Sequence, residues 1–194
     1  MKLSLDVALP SSREWVETVL HDFNFFLQDH ADCERKASAM AMSMVAKYPD
    51  RSEIISDLIE TAIEELDHFN QVYTIMKERG IPLPSSMQED PYIKALMSLM
   101  KTPVLQRFLD RLLVGSLVEM RGAERFKMIE ENLSDPDLKK FYKMLWTSEA
   151  KHGNIYVKMA LNYFSHDEVY HRLHWWVEKE AEIISGLPLR PALH

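Results

Sequence analysis

Twice along this chain a glutamate is followed, 31 or 30 positions later, by Glu-x-x-His: Glu34 precedes Glu65 and His68, and Glu119 precedes Glu149 and His152. Residues three apart on a helix project from one face, so each Glu-x-x-His can aim a carboxylate and an imidazole at one point. A single motif says little, because the glutamate and histidine content of 194 residues gives roughly 0.7 such matches by chance. Glu168 and His171 are a third match, but their glutamate partner would have to stand near Asp137 or Leu138, at a helix start, so they read as a surface or interface pair. The repeat is what constrains the fold. It asks for four long helices, with a glutamate on the first and third and a Glu-x-x-His on the second and fourth, the arrangement of carboxylate-bridged two-metal bundles.

The rest of the sequence can supply those helices. It has only five glycines, and long stretches are rich in Ala, Leu, Met, Glu and Lys, which lose little entropy in a helix. Ser11 and Glu14 have capping-box spacing, predicting a helix that bends near His21 and Asp22 and ends before Pro49. Ser52 is the expected cap of the next, whose Ile55, Leu58, Ala62, Phe69, Val72 and Met76 recur at helical spacing until Gly80 and Pro82 stop it. A longer connection through Pro84, Ser85 and Ser86 leads to a short helix from about Pro91 to Met100, and Thr102 and Pro103 start the third long one, which reaches about Asn132. Ser134, Asp135 and Pro136 open the fourth, closed by Tyr163 and Phe164, and Ser165 with Glu168 opens a further helix. Leu187 to His194 reads as a tail. The expected fold is all-α: a ferritin-like four-helix bundle, two hairpins joined by a long crossover, with additional short and C-terminal helices, spanning residues 1–194 as a single domain.

Composition narrows the function. The formal net charge of −7 means that a nucleic-acid partner would have to be met by a local basic patch rather than by the whole surface. Cys33 is the only cysteine, which excludes an internal disulfide and a Cys-x-x-Cys site and fits a reducing cytoplasm. The first twelve residues lack the apolar run of a signal peptide, and no stretch of about 18 apolar residues occurs, so no membrane partner is expected. The basic residues Arg35, Lys36, Arg121, Arg125, Lys127, Lys139, Lys140, Lys143 and Lys151 read first as a solvated surface, some of which could gather at one end.

The candidate metal ligands are Glu34, Glu65, His68, Glu119, Glu149 and His152. Glu34 shares its helix face with Leu27, Ala31, Ala37, Ser38 and Ala41, and Glu119 with Leu112, Gly115, Ser116, Gly122 and Phe126, so both are expected to point inward. Glu124 is the rival on the third helix, but its face carries Arg121, Met128 and Glu131. Glu119 is preferred. Burying four carboxylates and two imidazoles without metal would cost several kcal/mol for each unpaired charge. Two divalent cations would balance four carboxylates and keep every ligand deprotonated. Mixed carboxylate and imidazole ligation suits iron or manganese better than zinc, and oxygen chemistry favours iron. His30, one turn before Glu34, is a candidate partner for it, although a helical histidine without a motif is more often structural. The small residues beside the ligands, Gly115 and Gly122 among them, fit either a cavity or close helix packing.

With these motifs in view, the chain resembles the tRNA 2-methylthio-N6-isopentenyladenosine hydroxylase family. The resemblance rests on FLQDHADCERKASAMA from Phe26 to Ala41, EELDHF from Glu64 to Phe69, SLVEMRGAERF from Ser116 to Phe126 and SEAKH from Ser148 to His152, and it covers nearly the whole chain. It implies a monooxygenase that uses two iron ions and molecular oxygen to hydroxylate the isopentenyl group of a hypermodified adenosine beside the anticodon of tRNA. The six residues named above carry over as iron ligands, with no further catalytic side chain. No flavin or nicotinamide fingerprint is present, so electrons are expected from an external donor such as a ferredoxin and its reductase. Two alternatives share the ligand set: a hydroxylase of another small molecule such as a quinone, and a ferritin-like iron-storage or peroxide-scavenging protein. The quinone reading would need an apolar membrane-facing segment, and the storage reading a hollow assembly. The four-cysteine iron site common in rubrerythrin-like peroxidases is absent.

Overall fold

Side-chain caps and prolines mark most helix starts in the computed structural model, which describes residues 2–86 and 89–194. Among the described residues there are seven helices and no strand: α1 (Arg13–His21), α2 (Phe23–Lys47), α3 (Ser52–Glu78), α4 (Pro91–Leu99), α5 (Val104–Asn132), α6 (Pro136–Leu161) and α7 (His166–Gly186). Asp22 accepts from the Phe25 N–H at 3.2 Å and caps α2, so the bend expected there is a break between two helices. Asp90 and Asp135 cap α4 and α6, each followed by a proline at the first helical position, where no N–H is needed. Ser165 and Glu168 form a complete capping box on α7. Gly80, with φ of 68°, turns the chain away after α3, a backbone conformation only glycine adopts freely.

Two helix starts differ from the sequence reading. Ser52 is the first residue of α3 rather than its cap, and Arg51 at the cap position makes no capping bond. At α1 it is Ser12 whose hydroxyl accepts from the Trp15 N–H at 3.2 Å. Ser11 is instead drawn into long-range contacts with Glu124, Arg121 and Arg125. Adjacent serines give the same local signal, and tertiary partners decide which one caps. The long connection before α4 includes residues 87 and 88, which lie outside the described residues.

The helices fall into two compact units. One holds Glu17–Gln88 with Arg190–Leu193, and the other Met1–Val16, Glu89–Leu189 and His194. In the first, α2 and α3 pack as a hairpin over buried Phe26, Leu27, Met44, Ile54, Leu58, Val72 and Met76. In the second, α5 and α6 pack over Leu112, Leu113, Phe126, Ile129, Tyr142, Leu145 and Val157, and α7 lies against α4, α5 and α6. Each such side chain removed from water contributes roughly 1.5–3 kcal/mol, which holds the hairpins closed. Polar contacts fix α7. Trp176 Nε1 donates to Asp110 at 3.0 Å, Arg172 donates to both Asp110 oxygens at 2.7 and 2.9 Å, and the Arg172 guanidinium lies 3.8 Å over the Trp175 ring. Residues 187–194 continue outside any helix, with Ala192 and Leu193 buried and the Leu193 N–H donating to Asp29 at 2.8 Å. Among the described residues no helix is long and apolar enough to cross a membrane.

Candidate metal centre

Each hairpin gathers three of the six candidate ligands. In the α2–α3 hairpin, Glu34, Glu65 and His68 are buried and offer ligand atoms within 4.8 Å of one another. His68 Nδ1 stands 3.4 Å from Glu65 Oε2 and 3.7 Å from Glu34 Oε2. In the α5–α6 hairpin, Glu119, Glu149 and His152 are likewise buried with ligand atoms inside 4.8 Å. Donors bound to one ion at about 2.1 Å can be no more than about 4.2 Å apart, and the His68 distances of 3.4 and 3.7 Å to the two carboxylates lie inside that limit. The donor set, two carboxylates and one imidazole in each hairpin, is one that could hold a metal ion and suits iron or manganese.

The first triad is electrostatically primed. His30 Nε2 is hydrogen-bonded to Glu34 Oε1 at 2.7 Å, and both groups are buried. Burial favours a neutral Glu34, but the hydrogen bond with His30 and the nearby His68 imidazole outweigh it and hold the carboxyl well below the usual carboxylate range. For His68 burial opposes the charged form, yet Glu34 and Glu65 push its pKa up to about 10. In the protein without metal, His68 therefore carries the positive charge that two buried carboxylates require. A divalent cation would take over that role and release the proton.

Matching serine clips close both hairpins beside their ligands. Ser38 Oγ, one turn after Glu34, donates to the Ala62 carbonyl at 2.8 Å, and Ser116 Oγ, one turn before Glu119, donates to the Gly153 carbonyl at 2.7 Å. Close approach explains the glycines of the second hairpin. A Cβ on Gly115 would meet the Tyr156 ring at 3.1 Å, and one on Gly153 would meet Met120 Sδ at 2.9 Å. Gly122 is different: a Cβ there would make ordinary contact with Glu149 at 3.9 Å, so it is not forced by packing.

Glu124, the rival ligand, is engaged elsewhere in its own unit. Its carboxylate accepts from Ser11 N–H at 2.7 Å, Ser11 Oγ at 2.8 Å and Arg121 Nη1 at 3.0 Å. Arg121 is fully buried and also donates to both oxygens of Glu180, at 2.7 and 2.9 Å, and to the Leu9 carbonyl at 2.8 Å. Burial opposes its charge, but the Glu180 carboxylate raises its pKa. Tyr92 on α4 donates to the same Glu180 at 3.3 Å. This network joins the N-terminal segment, α4, α5 and α7, and no local pattern in the sequence announces it, because Arg121 and Glu180 are 59 positions apart. His171 is exposed, and Glu168 belongs to the α7 capping box.

The outward faces of the two motif-bearing helices differ in charge. From Leu138 to Leu161, α6 carries Lys139, Lys140, Lys143, Lys151 and Lys158 against a single acidic residue, the buried Glu149. Lys140, Lys151 and Lys158 recur at helical spacing on one exposed face, with exposed Lys143 and Met144 beside them.

Known proteins share both the sequence and the fold of this chain. The family model for tRNA-(MS[2]IO[6]A)-hydroxylase (MiaE) matches residues 5–194. A tRNA 2-(methylsulfanyl)-N(6)-isopentenyladenosine(37) hydroxylase of Pseudomonas putida is 38% identical over 154 residues, covering 79% of this chain and 74% of that protein. The protein of the same name from Salmonella typhimurium is 32% identical over 132 residues, covering 68% of this chain and 48% of that longer relative. Among solved structures, Protein 43 with aldehyde deformylating oxygenase activity from Synechococcus superposes with a TM-score of 0.91 at 32% identity, over 97% of this chain and 94% of that one. The fold is ferritin-like and all-helical.

Proposed function

The chain belongs to the tRNA-(MS[2]IO[6]A)-hydroxylase family, and from that premise we propose that it hydroxylates the isopentenyl side chain of 2-methylthio-N6-isopentenyladenosine next to the anticodon of tRNA. The observation that carries this reading is the pair of buried triads, each with two carboxylates and one imidazole, on helices of a ferritin-like fold. We assign Glu34, Glu65, His68, Glu119, Glu149 and His152 as the ligands of two iron ions within one domain. Four carboxylates then balance two divalent cations, which removes the cost of burying the triads as uncompensated charge.

When bound, the iron ions would supply the activation of oxygen that an unactivated C–H bond demands. The overall reaction takes O2, two electrons and two protons, places one oxygen atom on the substrate and releases the other as water. Since the chain lacks a flavin or nicotinamide fingerprint, both electrons come from an external donor protein. The protein's own residues do the rest. His30 fixes Glu34, the serine clips fix the spacing of each helix pair, and burial of all six residues, none more than 5% exposed, keeps them out of water.

A tRNA substrate needs positive charge despite the net −7 of the chain, and the lysine face of α6 supplies it. Phosphates held there would bring an anticodon loop to the protein, where the hypermodified base must leave its stack to offer its side chain. With tRNA as substrate, the reaction belongs in the cytoplasm. The direct test is nucleoside mass spectrometry on tRNA carrying the isopentenylated adenosine, incubated with iron-loaded protein, oxygen and a reductant. A gain of one oxygen atom with the intact protein and none with Glu149→Ala is expected. Absence of the gain with intact protein would leave only an oxygen-activating iron protein of another substrate.

A further inference from the structure

The back of α3 has a pattern that packing within the chain does not use. Ile59, Ile63, Leu66 and Tyr73 are 39%, 62%, 55% and 39% exposed, and Asn70 between them is exposed too. Their spacing of 4, 3, 4 and 3 residues is the a/d alternation of a coiled-coil seam, with Ile63 and Asn70 at a positions and Ile59, Leu66 and Tyr73 at d positions. The buried face of α3, which carries Leu58, Ala62, Glu65, His68, Val72 and Met76, borders this seam along its other edge. A helix that only needed to be solvated on its outer side would carry polar residues there. From Ile59 to Tyr73 the seam runs about 21 Å, long enough for two heptads of a partner helix.

Charge says what kind of partner. Glu60 and Asp67, both exposed, occupy the positions flanking the seam along one edge, and Asp57 and Glu64 lie beyond them. From Ser52 to Met76 the helix contains no lysine or arginine. Nucleic acid and anionic lipid are repelled by such an edge, and a second copy of this chain would bring one acidic stripe against another. An apolar seam with an acidic edge is complementary to a helix with an apolar seam and a basic edge. The exposed asparagine at one a position adds register selection, since a polar group there is satisfied only by a partner that places a polar group opposite.

We propose that the outer face of α3 is the docking site for a basic amphipathic helix of a partner protein. This is independent of the substrate assignment, because it rests on the solvent side of α3 and not on its ligands. A partner seated there lies one helix thickness, about 10 Å, from Glu65 and His68.

Two synthetic helices of about 21 residues, three heptads, test it. Both carry the same apolar a/d residues and one a-position asparagine, one with lysine and the other with glutamate at the flanking positions. Their binding to the full chain is followed by fluorescence anisotropy. The lysine peptide is expected to bind at least about tenfold more tightly than the glutamate peptide, and to lose affinity as salt is raised. Ile63→Glu with Leu66→Glu should abolish binding, and Glu60→Lys with Asp67→Lys should reverse the preference between the peptides. All four positions are on the surface, so the variants are expected to fold, which circular dichroism checks. Binding of neither peptide, or equal binding of both, overturns the proposal. So does sedimentation showing a dimer of the chain that Ile63→Glu dissolves, because the occupant would then be a second copy.

Discussion

The α2–α3 and α5–α6 hairpins present the same three ligand types and the same serine-to-carbonyl clip, yet almost everything around those shared parts differs. In the first hairpin the clip lies one turn after the leading glutamate, and in the second one turn before it. Glu34 is held by His30 inside its own hairpin, whereas α5 is braced by an Arg121–Glu180 pair that reaches across to α7. The outer faces are opposites: α3 is apolar with an acidic edge, and α6 is basic. The residues proposed as ligands thus occupy one stripe of each helix, and the rest of the helix is free to take on unrelated work.

Ligand substitutions give the largest expected effects and test whether the two hairpins contribute equally. Loss of a group that only supports a ligand costs about 10–100-fold, so Glu65→Ala and Glu149→Ala should each lower hydroxylation by at least about a hundredfold. A steady-state assay with matched iron loading checks this, and a variant retaining near-normal activity would remove its hairpin from the centre. Next comes the brace. Glu180→Ala leaves the buried Arg121 without its principal partner and should destabilise the protein by on the order of 3 kcal/mol in urea denaturation. The change should fall on stability more than on turnover of the folded enzyme.

His30→Ala should weaken iron binding by roughly 10–100-fold, measured by competition with a chelator, while leaving the α5–α6 ligands untouched. On the outer faces, Lys140→Glu, Lys143→Glu and Lys151→Glu together should weaken tRNA binding and lower the slope of log affinity against log salt by about one for each phosphate that is no longer neutralised. Glu60→Lys on α3 should leave that slope unchanged. The pH effect is confined to the metal-free protein. The His68 pKa is raised above its unfolded value, so its contribution to the stability of the metal-free protein is full below about 6.5 and is lost as pH rises through about 10. Thermal melts of metal-free protein across that range should show the decline, and a bound divalent metal should suppress it.

Spacing made the triads and the helices legible, because helix period and capping residues act over a few positions. Glu65 and His68 or Glu149 and His152 can be paired from sequence for that reason. What escaped depends on distance or on averaging. Arg121 and Glu180 are far apart in the chain, and the engagement of Glu124 by Ser11 spans 113 positions. A serine at position 11 looks like a cap until its distant partners are known. The net charge of −7 conceals a chain whose two motif-bearing helices are oppositely charged, since summing over all residues cancels the segregation that matters for partners.

Gly153 follows His152 directly, and the residue it presses against, Met120, follows Glu119. The single hydrogen at position 153 therefore leaves the room that the Met120 thioether occupies between the two helices. A methyl group there would first push aside the Met120 thioether and would stand 3.4 Å from the Ser116 carbonyl, so the packing beside the second triad is more readily retuned by reshaping the side chain at 120 than by altering a proposed ligand.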